Sequence, residues 1–241
     1  MCAAIHQART YWHYDRLVLE INSPGGELLA LRALVHEMNR WRQQRGRVET
    51  SGQMQAGSAA ALLLTLGDVG RRVVHPHTEL VYHHTRVMTQ GAQALTAEHA
   101  GAAARQLEQA DGTLLRQLTE HIVQGHGDIA TMAHTGLTRC RHLQSQAAQI
   151  GAALGHDASI GSTPTKSASL LLRQLTRTFE KTLKKGDARP YTELLASIFA
   201  RDSRMPVHVA WGLLLVDSVD GIQELQPLVQ PAAVPAPRMA A

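Results

Sequence analysis

The stretch INSPGGELLALRALVHEM, Ile21 to Met38, decides the fold. It passes from an apolar strand through a Pro-Gly-Gly turn straight into an amphipathic helix. Residues 17–22, LVLEIN, alternate in part and read as a buried strand. After the turn, over 27–43, Leu28, Leu31, Leu34, Val35, Met38 and Trp41 recur at helical spacing. Two glycines at such a junction permit backbone conformations closed to other residues and let another chain or a ligand come close. The helix start adds unpaired N–H groups and partial positive charge. The junction therefore suits an anion, or a carbonyl oxygen that becomes one.

Working outward, RVETSGQ (47–53) reads as a second strand and AGSAAALLLTLGD (56–68) as a buried helix opening on small residues. RRVVHPHTELVYHH (71–84) holds two short strands broken at Pro76. This β-α-β-α-β order predicts a parallel sheet with right-handed crossovers. From Thr89 the character changes. Residues 92–124 and 139–155 read as long helices, and 155–167 as a linker by its Gly, Ser, Thr and Pro content. A helix over 167–185 ends at Gly186, another with its exit covers 189–205, and 212–222 holds a last short strand. The Pro-rich tail from Pro227 reads as disordered.

Composition narrows the class. Apolar residues make up 44% of the 241, ample for a core, while aromatics are only 4%, which favours a helix-rich α/β protein over an all-β sandwich. The net charge of +4 is scattered, so no nucleic-acid partner is expected. Cys2 and Cys140 are the only cysteines, which implies no disulfide framework. No apolar run approaches a membrane span and no signal peptide opens the chain, so a cytoplasmic protein without a membrane partner is expected.

Three groups of residues could carry chemistry. Ser58 stands between Gly57 and Ala59 at a helix start, where a serine is most often a cap, but where small neighbours also admit a substrate. His83 and His84 close a strand, the end at which parallel sheets meet their ligands, so either could be a general base or a solvated side chain. His75 and His77 invite a metal, but no third ligand follows at a suitable spacing, so no metal site is expected.

Taken together, strand–NSPGG–helix, AGSAAALLL, Gly67, Pro76 and ELVYHH resemble the Clp protease proteolytic subunit family over residues 17–84, with one short insertion around 42–46. Ser58 and His83 are 25 residues apart, the spacing that family keeps. The resemblance implies a ClpP/crotonase-type α/β fold, a spiral of β-β-α units with a long helical handle. Residues 1–88 would then form the head, 89–188 the handle with an insertion, 189–226 the closing helix and strand segment, and 227–241 the tail. It implies a serine endopeptidase that cleaves unfolded proteins or peptides without metal or organic cofactor. Ser58 would be the nucleophile and His83 the base, while the N–H groups of Gly26 and Ala59 would form the oxyanion hole. A ring-shaped homo-oligomer and a Clp-type ATPase unfoldase are the implied partners. The axial segment through which that family contacts its ATPase is not found before the first clear strand, so the expectation is either a truncated start or a member that does not dock an unfoldase in the usual way.

The acid departs from the pattern. The first place the resemblance puts it falls near Met132 and Ala133, where no carboxylate stands. The later segment ARDSRMPVHVAWGLLLVD (200–217) resembles the family's closing segment, and there the family's position falls on Ile198. Asp202, one helical turn on, is the candidate orienter of His83; a backbone carbonyl is the alternative acceptor, and a dyad the third. Two other functions share the fold: a catalytically inactive paralogue serving as an assembly subunit, and a crotonase-type acyl-CoA enzyme, which would need no Ser58–His83 pair.

Overall fold

The computed structural model describes residues 1–11, 14–86, 97–146, 164–200 and 203–226. Asp202, the expected tail, the beginning of the expected handle and residues 155–163 of the expected linker lie outside the described residues. The elements run α1 (Cys2–Tyr11), β1 (Arg16–Ser23), α2 (Leu28–Gln43), β2 (Arg47–Gly57), α3 (Ala59–Thr65), β3 (Arg72–Val74) and β4 (Glu79–Tyr82). They continue with α4 (Ala97–Gly125), α5 (Ile129–Ser145), α6 (Pro164–Lys185), α7 (Arg189–Phe199), β5 (Ser203–Met205), α8 (Val207–Gly212) and β6 (Ser218–Val219), then a 3-10 turn at Gln223–Leu225.

β2 organises the α/β architecture. Thr50 is paired with Leu19 of β1 and with Arg72 of β3; Ala56 is paired with Ser23 of β1 and with Leu80 of β4. β3 and β4 therefore take successive halves of the same edge of β2, opposite β1. All three pairings are parallel, as the alternation of strands and helices predicts. The sheet forks where β3 ends, and Thr78 holds the fork by donating its hydroxyl to the carbonyls of Gly52 (3.0 Å) and Gln53 (2.6 Å). One arm extends from β3 to a parallel β6, the other from β4 to an antiparallel β5. A sheet that splits in this way curls instead of lying flat. The short apolar α3, buried from Ala60 to Thr65, fills the concavity.

The closing segment is pinned to the sheet by charge. Asp217 and Arg72 are both fully buried and meet through two bonds of 2.7 Å. Arg139, on α5, approaches the same carboxylate at 3.5 Å, donates to the carbonyls of Trp211 and Val216, and lies 4.8 Å over the Trp211 ring. Burial alone would raise the Asp217 pKa, but the two guanidinium groups outweigh it and hold the carboxyl at about 2. α5 is thereby joined to α8 and β6 through the core, and α6 packs on α5 so closely that Gly136 faces the Phe179 ring directly.

Several boundaries differ from expectation. A helix, α1, occupies the first residues and buries Ile5, although its sequence shows little amphipathic pattern. The helix expected at 139–155 starts at Ile129, because Asp128 caps it by accepting the Thr131 N–H at 2.7 Å. Residues 164–167, assigned to the linker, open α6 with Pro164 in its first turn, where proline's missing N–H costs nothing. The last short strand expected within 212–222 is Ser218–Val219.

Candidate active site

The opening turn and the start of α3 meet backbone to backbone. Gly25 has φ +120°, and a Cβ there would lie 2.6 Å from Ser58 Cβ and 2.7 Å from the Gly57 carbonyl oxygen. A Cβ on Gly57 would in turn strike the Pro24 carbonyl oxygen at 2.6 Å. The glycine that the turn requires is thus Gly25. Gly26 has open space where its side chain would be, with nothing within 4 Å.

Ser58 follows Gly57 with φ 52° and ψ −124°, a backbone conformation that a non-glycine residue adopts only under constraint. The Ser58 N–H donates to the Val81 carbonyl at 2.7 Å, and the turn at Gly25 lies so near that it leaves no room for a Cβ between the two residues. Ser58 is the N-cap of α3 by position, yet its hydroxyl makes no capping bond. The ordinary duty of a serine at a helix start is therefore not performed here. Ala59 is the first residue of α3, where N–H groups lack intrahelical acceptors. Among the described residues neither the Ala59 nor the Gly26 N–H has a backbone acceptor.

The register brings the two strand ends together. Gly57 is paired with Val81, so β2 delivers Ser58 and β4 delivers His83 at the same end of the fork. His83 is half-buried, and its Nδ1 lies 2.6 Å from the backbone carbonyl oxygen of His84. As that oxygen only accepts, Nδ1 carries the proton and Nε2 is left with a lone pair. His84 turns elsewhere: its Nε2 lies 3.1 Å from the Ala196 carbonyl on α7 and its Nδ1 2.8 Å from Asp111 Oδ2 on α4. Asp111 Oδ1 accepts the Thr85 N–H at 2.8 Å. Ile198 lies on α7; Asp202 falls outside the described residues. His75 faces Asp220 at 3.4 Å, and no group of three metal-ligating side chains is found among the described residues.

Two clefts flank α3. One, of about 730 Å³, runs along the outer edge of β1 past Gly26, Ala59 and Leu63. The other, of about 570 Å³, lies between α2, α3 and α4, with Leu28, Leu62 and Leu114 on its apolar wall and Arg42 and His121 at its polar end. His121 Nε2–H donates to the Gly67 carbonyl at 2.8 Å. Burial, with the charges of Arg72 and Arg42, lowers the His121 pKa to about 4 despite that bond.

The Clp protease family model matches residues 2–150. The chain belongs to the Clp protease family. It is 36% identical over 110 residues to ATP-dependent Clp protease proteolytic subunit 1 of Corynebacterium glutamicum, covering 46% of this chain and 48% of that protein. Proteolytic subunit 1 of Tropheryma whipplei (strain Twist) is 32% identical over 115 residues, covering 47% and 54%. Proteolytic subunit 2 of Leifsonia xyli subsp. xyli is 37% identical over 71 residues, covering 30% of each. The chain spans about half the length of the curated relatives it matches. Among the described residues no helix is long and apolar enough to cross a membrane.

Sequence reasoning missed Asp111. It stands in the middle of a long Ala- and Gln-rich helix, 26 residues beyond Thr85, and no local motif marks it.

Proposed function

We propose that the protein is a serine peptidase of the Clp type, acting on unfolded polypeptides or peptides. The observation that carries this reading is the constrained Ser58, held at φ 52° with its hydroxyl withheld from the helix it begins. Ser58 Oγ attacks the scissile carbonyl while His83 Nε2 takes its proton, later passing it to the leaving amine. The N–H groups of Gly26 and Ala59 receive the developing oxyanion, each worth about 3 kcal/mol in comparable sites. The open space at Gly26 leaves room for a substrate backbone, and the cleft that passes Gly26, Ala59 and Leu63 offers an apolar surface for a substrate side chain. The relatives are named as proteolytic subunits of an ATP-dependent protease. Assembly into a homo-oligomeric ring, a Clp-type ATPase partner and a cytoplasmic location accordingly belong to this proposal.

A fluorophosphonate probe tests it. Covalent labelling of the wild type that disappears in Ser58→Ala is the expected result. An unlabelled wild type would instead favour an inactive assembly subunit, and labelling that survives Ser58→Ala would move the nucleophile elsewhere.

A further inference from the structure

We propose that Asp111 is a positioning residue for His83, acting through the peptide unit that joins His84 to Thr85. This rests on the reading of Ser58 and His83 as nucleophile and base. The His84 carbonyl and the Thr85 N–H belong to one planar unit, so fixing one end fixes the other. Asp111 Oδ1 holds the N–H end at 2.8 Å, and the carbonyl end accepts His83 Nδ1–H at 2.6 Å. The carboxylate is itself aimed by its second oxygen, 2.8 Å from His84 Nδ1, while the other nitrogen of that ring meets the Ala196 carbonyl on α7. The exit of β4 is thus gripped from α4 on one side and α7 on the other.

The arrangement does for His83 what a directly bonded acid would do. A lone backbone carbonyl can rotate away at small cost, and the ring would then be free to flip or exchange tautomers. With the peptide locked, Nδ1 keeps its proton and, in the neutral ring, Nε2 keeps its lone pair. A carboxylate on the N–H end also polarises the peptide, drawing negative charge towards its carbonyl oxygen. That makes the oxygen a stronger acceptor for the Nδ1–H and holds the ring more firmly in place. The burial of Asp111, only 8% exposed, keeps solvent from screening the effect.

The experiment uses the full chain with two readouts. The first is the tautomer of His83, read from ring ¹⁵N shifts and assigned by the signals lost in His83→Gln. The second is the rate of fluorophosphonate labelling. Wild type is expected to show a single Nδ1–H tautomer. Asp111→Ala is expected to give mixed tautomers and labelling slowed about tenfold or more. Asp111→Asn keeps an oxygen for the Thr85 N–H and is expected to retain the tautomer while labelling more slowly than wild type. A wild-type tautomer in Asp111→Ala overturns the proposal, whether or not the protein labels. A wild type that does not label, but whose tautomer is lost in Asp111→Ala, defeats the peptidase reading and leaves the positioning role standing.

Discussion

Adjacent glycines in SPGG perform different tasks. Gly25 is structural: its φ of +120° suits no side chain, and its missing Cβ is what lets the turn touch Gly57 and Ser58. Gly26 faces open space. Gly25→Ala is therefore expected to destabilise the protein by at least about 2 kcal/mol, through backbone strain and a clash that cannot be relieved by turning a side chain. Gly26→Val is expected to leave stability within about 0.5 kcal/mol of wild type, while slowing fluorophosphonate labelling by tenfold or more. Urea unfolding and labelling rates on both variants separate the two tasks. Near-normal labelling in Gly26→Val would remove that N–H from the site, and an undisturbed Gly25→Ala would mean that the turn tolerates more movement than its contacts allow.

At the scale of elements, α5 and α6 are held into the core by one buried charge cluster and one close helix crossing. Arg139 satisfies two carbonyls of the closing segment and shares Asp217 with Arg72. Gly136 sits under the Phe179 ring, where a Cβ would come within 2.4 Å of a ring atom. Gly136→Ala should thus push α6 off α5 and cost about 1–3 kcal/mol, seen as a lower unfolding midpoint. Loss of less than about 0.5 kcal/mol would show that the ring can slide aside. Residues 17–84 were legible from sequence because each element there carries a local signal: apolar period, glycine turn or proline break. The second half was less so. Asp128 caps a helix whose beginning has no strong apolar stripe, and α8 hides in VHVAWG, an apolar run that fits helix or strand equally. The candidate site divides in the same way. Ser58, His83 and Gly26 stand beside recognisable turns and strand ends, whereas Asp111 reaches the exit of β4 only through the packing of α4, which no spacing in the sequence records.

For the whole molecule, acid should weaken the fold before it reaches the buried aspartate. His121 is held neutral by burial and by the charges of Arg72 and Arg42, with a pKa near 4. His126, lowered to about 4 by burial and by Arg72 and Arg139, behaves likewise. Both values lie below the ordinary 6.5, so on acidification the unfolded chain takes up protons that the folded chain refuses. Stability is full above about pH 6.5 and declines as the pH falls towards 4. Asp217 acts lower down: its carboxyl, held at about 2 by the two guanidinium groups, contributes stability that is present above about pH 4 and lost as the pH falls through 2. Urea unfolding at pH 7, 5.5 and 4.5 is therefore expected to show a falling midpoint at each step. In His121→Gln, which keeps a donor for the Gly67 carbonyl but cannot titrate, the slope should be shallower. If wild type and His121→Gln decline in parallel, the interior around α4 admits a proton or water as the pH drops, and the acid sensitivity resides in other groups.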